Sequence, residues 1–205
     1  MTRSYLDKSL NHADFKLLNQ FLSEKIMTGF TLRARGEPLI IRIILSLGLR
    51  TDELLKMKFT DFDSELNSVF ITGSKGSESC SMKINKTLME SLLTLKQEYE
   101  ILYGLPLDEV WRLVVGPKNY KPQSVARELR DVWAKLRFAC FGDKNRHVTV
   151  HGLRHSYAYR LLDGGLSLAH VQQALRHKAI GSTIYYLAAR ARAEISDKAL
   201  KVIDM

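Results

Sequence analysis

Six residues in this chain combine types and spacings that could do chemistry on a phosphodiester. The run His151-Gly-Leu-Arg154-His155 is followed by Leu175-Arg176-His177 and then by Tyr186. Upstream stand Gly48-Leu-Arg50-Thr-Asp-Glu53-Leu and Lys75, the latter between Gly73 and Gly76. Arginine presents a planar fork of donors that matches two phosphate oxygens at once. Histidine can donate to a further oxygen or move a proton, and a tyrosine can attack phosphorus. His151 and Arg154, three apart, are neighbours on a helical turn. Arg50 and Lys75 complete a cage of cations only if the fold brings distant segments together.

Taken singly, each residue has a plainer reading. Arg50 with Glu53 could be a surface helix ion pair. Lys75 could be an exposed turn lysine, and no Gly-x-x-x-x-Gly-Lys-Ser/Thr surrounds it. Tyr186 could be a packed aromatic. His147, His151 and His155 step by four, but no acidic or thiol ligand stands near enough in sequence to suggest a metal site. The joint pattern, in order and with its local spacings, favours the chemical reading. Glu53, three residues after Arg50, is expected to orient that guanidinium, and His155 to support its neighbours.

The elements that must position these residues are mostly helical. Asn11 to Asp14 reads as a cap opening a helix to about Lys25, with Phe15, Leu18, Phe21 and Leu22 on one face. Gly29 and Gly36 bracket a basic loop holding Arg33 and Arg35, and Pro38 suits the first turn of an apolar helix that Gly48 ends. Thr51 is expected to cap a short helix over 52–58. Residues 69–72 and 80–84 read as strands of a hairpin whose loop carries Lys75. Further helices are expected over 87–102, 124–138, 152–163, 167–176, 180–187 and 189–201. Residues 124–138 read as a basic amphipathic helix with Val125, Leu129, Val132, Trp133 and Leu136 inward. The fold class expected is α+β, mostly α-helical, with a small antiparallel β-sheet, in one domain over 1–205.

The bulk properties agree with a polyanionic partner. The 205 residues carry a net charge of +9, and the stretch from Arg112 to Arg160 alone holds eleven Lys/Arg against three Asp/Glu. Nucleic acid is the commonest such partner, with surplus surface lysine as the plain alternative. Arg33, Arg35, Lys121, Arg127, Arg130 and Arg176 are the expected DNA contacts, with base readout assigned to the helix over 124–138. Cys80 and Cys140 stand alone, with no ligand spacing, which argues against a disulfide framework or a zinc site. The apolar stretch from Leu39 to Leu49 is broken by Arg42 and too short to cross a bilayer. A soluble protein of a reducing compartment is expected.

These motifs resemble the tyrosine recombinases, or phage integrases. Gly48-Leu-Arg50-Thr-Asp-Glu53-Leu is similar to the family's first-arginine motif, and Gly73-Ser-Lys75-Gly76 to its strand-turn lysine. His151-Gly-Leu-Arg154-His155 matches the His-x-Leu-Arg-His box, Leu175-Arg176-His177 the box around the later histidine, and Tyr186 stands at the nucleophile's spacing. The resemblance runs from about Pro38 to about Arg190. It implies a tyrosine recombinase catalytic fold and a site-specific recombinase that cuts and rejoins DNA through a 3′-phosphotyrosyl bond. Arg50, Lys75, His151, Arg154, His177 and Tyr186 would be catalytic, with no metal or other cofactor. It also implies a homo-oligomer, a tetramer, on double-stranded DNA, an accessory DNA-bending protein, and a cytoplasmic, nucleoid-associated location without membrane contact. A non-cleaving DNA-binding regulator on the same fold and a type IB topoisomerase are the rival readings.

Two departures stand out. Arg176 replaces the glycine usual at a helix end, where a side chain could alter the turn or add a phosphate contact. Tyr185 adjoins Tyr186, so spacing alone selects the nucleophile. By resemblance to the short recombinases that invert fimbrial promoters, the chain is expected to lack a separate N-terminal DNA-clamping domain; a catalytic fragment is the alternative. Residues 1–30 would form an N-terminal helix and loop. Residues 187–205, with Ile195, Leu200, Val202 and Ile203 as anchors, would pack on their own domain or, as the resemblance implies, dock on a neighbouring protomer.

Overall fold

The computed structural model describes residues 9–107, 113, 122–144, 147–178, 183, 184 and 188. Helix α1 (His12–Thr28) opens as expected, with Asn11 Oδ1 accepting from the Asp14 N–H at 2.8 Å. Helix α2 (Leu32–Leu47) runs through the middle of the molecule and packs on α1, on α4 (Lys86–Tyr103), on α5 (Pro122–Phe141) and on α6 (Val150–Asp163). Its residues Leu39, Ile41, Ile43, Ile44, Leu45 and Leu47 are all buried, as a helix apolar on nearly every side must be.

One expectation about α2 fails. The residues expected to form a basic loop, including Arg33 and Arg35, are its first turns, and Pro38 sits inside the helix. Thr31 accepts the Ala34 N–H at 3.1 Å and nucleates the helix upstream of the proline. Pro38 then removes only one backbone bond, and packing on four neighbouring helices outweighs that loss.

Between α2 and α4 lies the short helix α3 (Thr51–Lys56), a 3-10 turn at Phe59–Asp61 and a sheet of β1 (Phe62–Asp63), β2 (Ser68–Ile71) and β3 (Cys80–Lys83). The strands are antiparallel in the order β1-β2-β3, with Phe62 opposite Val69 and Val69 opposite Met82. Val69 and Ile71 point into the core while Phe70 faces out. Helix α5 buries Val125, Leu129, Trp133 and Leu136 as its periodicity predicts, with Val132 half-buried. The indole of Trp133 donates to Val148 O at 2.7 Å and so fixes the start of α6. Helix α7 (Leu168–Ala174) packs on α6 through Val171, Leu175, Tyr157 and Leu162. The helices expected over 180–187 and 189–201 fall on residues outside, or almost wholly outside, the described ones. Among the described residues no helix is long and apolar enough to cross a membrane.

Candidate active site

The site is built where α2, α3, α6 and α7 end against one another. Gly48 closes α2 in the left-handed conformation, φ 56°, and a Cβ there would lie 2.3 Å from Tyr157 Cδ1. The chain turns sharply there, and α3 starts three residues later. Arg50, rather than the expected Thr51, is the cap residue of α3, and its N–H donates to Glu53 Oε2 at 2.9 Å.

Glu53 is the centre of the cluster, its side chain fully buried. It accepts from Ser77 Oγ at 2.6 Å, Arg176 Nη2 at 2.8 Å, Arg50 Nη1 at 3.3 Å and Arg154 Nη1 at 3.5 Å. Burial alone would raise its pKa. The Arg176 guanidinium, the Ser77 hydroxyl and the Arg50 N–H outweigh burial and hold it below the usual carboxylate value. Three guanidinium groups around one carboxylate leave two positive charges uncompensated, which suits an anionic ligand.

Arg154 lies on α6 with its side chain 1% exposed. It donates to Gly48 O at 2.6 Å and to Leu175 O at 2.5 Å, tying the end of α2 to the end of α7. Arg50 is shallower, 21% exposed, so it offers the more accessible guanidinium. His151, although only three residues from Arg154, is exposed, whereas His155 is buried and meets the His151 ring edge-to-face at 4.6 Å. Among the described residues no three His, Cys, Asp or Glu side chains are grouped to hold a metal.

Arg176 does not stand where a DNA contact would. Its side chain is 1% exposed and donates to Leu47 O at 3.0 Å, Ala174 O at 2.9 Å, Gly48 O at 3.1 Å and Glu53. Its φ of 57° keeps the left-handed turn for which the family's glycine is suited. That conformation costs a non-glycine residue about 1–2 kcal/mol. One charge-assisted hydrogen bond contributes about 1.5–3 kcal/mol, so the bonds to Glu53 and the carbonyls outweigh the strain.

The Lys75 turn docks on the same place through its backbone. Glu78 N–H donates to Arg176 O at 3.1 Å, Ser77 pairs with His177 in an isolated antiparallel bridge, and Arg50 Nη2 reaches Gly76 O at 3.5 Å. Gly73 permits the tight return, since a Cβ there would fall 2.7 Å from Ser77 O. Lys75 itself is exposed. Thus the fold gathers Arg50, Arg154, His177 and the turn that bears Lys75. Tyr186 and Lys121 lie outside the described residues.

His177 is buried, and its Nδ1 shares a 2.8 Å hydrogen bond with Thr183 Oγ1, itself fully buried. Burial, then the charges of Arg154, Arg50 and Arg176, lower its pKa from 6.5 to about 4. The ring is neutral at pH 7. Below pH 6.5 the unfolded chain takes up a proton that the folded chain refuses until about pH 4. The folded state is therefore expected to lose stability as pH falls through that window, by on the order of 3 kcal/mol. Thermal melts between pH 4 and pH 8 check this. A His177→Asn chain should show a flatter dependence from 6.5 downward, and an unchanged slope would refute the assignment.

The remaining expected DNA contacts differ in availability. Arg33 pairs with Glu37 at 2.6 Å and Glu128 at 3.4 Å, and Arg35 pairs with Glu98 at 2.6 Å. Lys135 also reaches Glu37, at 3.4 Å. Arg127 and Arg130 on α5 are exposed. Sequence reasoning missed Ser77 and Thr183 altogether. Ser77, at the end of the glycine-flanked turn, carried a weak signal; Thr183 carried none.

The described residues form a helical body whose small sheet lays a lysine-bearing turn on a buried arginine cluster. The chain belongs to the phage integrase family, which it matches over residues 8–192. It is 29% identical over 182 residues to a probable integrase/recombinase protein of Methanocaldococcus jannaschii, covering 88% of this chain and 54% of that one. It is 31% identical over 147 residues to the tyrosine recombinase XerC of Agrobacterium fabrum, covering 72% and 44%. Among solved structures it is similar to the XerH site-specific recombinase bound to palindromic difH in a post-cleavage complex. That match has a TM-score of 0.71 and 25% identity over 96% of this chain and 54% of the other. The XerH pre-cleavage complex gives a TM-score of 0.68, again at 25% identity, over 87% and 50%. The chain spans about half the length of these relatives.

Proposed function

We propose that this chain cuts and rejoins DNA at defined sites through a 3′-phosphotyrosyl intermediate. The observation that carries the reading is the Glu53-centred arginine cluster with the Lys75 turn docked onto it. Tyr186 Oη attacks the scissile phosphorus, and the 5′-oxygen leaves with a proton from Lys75. Arg50 from the exposed side and Arg154 from beneath stabilise the charge developing on the non-bridging oxygens. His151, on the exposed side of α6, assists proton transfer from the tyrosine. With Nδ1 engaged by Thr183, His177 presents Nε2 to a phosphate oxygen. The ester conserves the bond energy, so the reverse attack by a 5′-hydroxyl reseals the strand without a cofactor.

The DNA partner is double-stranded and met by phosphate contacts from Arg127 and Arg130, with Lys121 beside them in sequence. Phosphate contacts position a protein without reading sequence, and they predict binding that weakens steeply with salt. The working form is a tetramer on DNA in the cytoplasm, helped by a DNA-bending protein. In solved relatives, a recombinase and its DNA substrate occur together before and after cleavage.

The test is covalent capture on a library of nicked duplexes from the source genome, followed by SDS denaturation. An SDS-resistant protein–DNA adduct at a narrow set of sequences is expected. Binding without an adduct across the library would favour the non-cleaving regulator. Relaxation of any supercoiled plasmid without site preference would favour the topoisomerase.

A further inference from the structure

We propose that Arg176 is a positioning residue of this site, holding the Glu53 carboxylate so that Arg50 and Arg154 keep their charge for the phosphate. This rests on the recombinase reading above. Glu53 is one carboxylate among three guanidinium groups, and the distances rank its attachments. Arg176 lies at 2.8 Å, Arg50 at 3.3 Å and Arg154 at 3.5 Å. The guanidinium with the shortest bond also donates through Nη1 to Leu47 O and Ala174 O and through Nη2 to Gly48 O, out of reach of solvent. Arg176 is thus a dedicated counter-ion. Arg50, the shallow one, is bound to the carboxylate only loosely.

Removing Arg176 would hand Glu53 to its two remaining guanidinium neighbours. The carboxylate would draw Arg50 inward and neutralise the charge nearest the ligand. The site would also lose one of its two uncompensated positive charges.

Arg176→Gly isolates this effect, because glycine adopts the left-handed φ of 57° without strain. The backbone bond from Glu78 N–H to Arg176 O does not depend on the side chain. Relative to the wild type, single-turnover cleavage by Arg176→Gly is expected to fall at least about tenfold, below the roughly 10²–10³ typical of losing a direct transition-state donor. The dependence of log binding constant on log salt should flatten by about 0.9, the signature of one lost phosphate contact. Millimolar guanidinium should restore much of the rate to Arg176→Gly, and none to the wild type. In a Glu53→Gln background the same substitution should cost little, because the charge it controls is gone.

Arg176→Lys serves as a second variant if the glycine variant melts below the assay temperature, and it should recover part of both readouts. Wild-type cleavage with Arg176→Gly equally fast and equally salt-dependent overturns the proposal. So do multiplicative losses with Glu53→Gln and no guanidinium rescue, which would make Arg176 a packing residue only. A wild type that forms no adduct rejects the recombinase reading instead, and the salt dependence of binding still decides the role of Arg176.

Discussion

A Tyr186→Phe chain is expected to form no covalent DNA adduct at all, while Tyr185→Phe forms one at a rate within severalfold of the wild type. Phenylalanine retains the ring and loses only the oxygen that would attack phosphorus, so packing and DNA binding should be spared. The choice between the adjacent tyrosines rests on their place relative to His177, with Tyr186 nine residues on. Thr183 is bonded to His177 at 2.8 Å, and Tyr186 follows Thr183 by three positions in the sequence. SDS-resistant capture on the cognate duplex measures both variants. The salt dependence of binding should be identical in all three chains, because neither tyrosine neutralises a phosphate. An adduct that persists in Tyr186→Phe and vanishes in Tyr185→Phe would transfer the role to Tyr185.

What could be read from the sequence divides along a physical line. Local periodicity and caps placed α1, α5 and α6 to within three residues at either end, because apolar spacing reports burial, and Asn11 a cap, within one element. Pro38 misled the reading of α2, since a proline inside a helix looks like a start when the stabilising tertiary contacts are invisible. The two-residue strand β1 has too little sequence to carry a period. The same limit applies at the site. Arg50 with Glu53 was legible as an i,i+3 pair, but Arg176 lies 123 positions from Glu53. A charged side chain near a helix end reads as a surface contact until its buried counter-ion is known, which is why the sequence alone points Arg176 at DNA. The docking of the Lys75 turn on His177 is likewise a long-range backbone pairing that neither segment announces.

Arg154→Lys is the substitution expected to separate charge from geometry most clearly. The ammonium keeps the positive charge, so a purely Coulombic role would survive it. The planar fork does not survive. Arg154 bridges Gly48 O and Leu175 O with two different nitrogens while also facing Glu53, and a single Nζ cannot occupy both positions. Either Leu175 O loses the Arg154 donor, at a cost of about 1–3 kcal/mol, or Gly48 O is left to Arg176 alone. The ends of α2 and α7 keep the tie through Arg176 but lose the one through Arg154, and with it part of what places Arg50 on one side and His177 on the other. Cleavage is therefore expected to fall by roughly 10²–10³, the range seen when one preorganised transition-state donor is removed. Thermal or denaturant unfolding should register the carbonyl penalty, and single-turnover capture the rate. Loss of rate well beyond the loss of folded protein at the assay temperature would assign Arg154 to the transition state. A rate that merely tracks the folded fraction would reduce it to a buried brace between two helix ends.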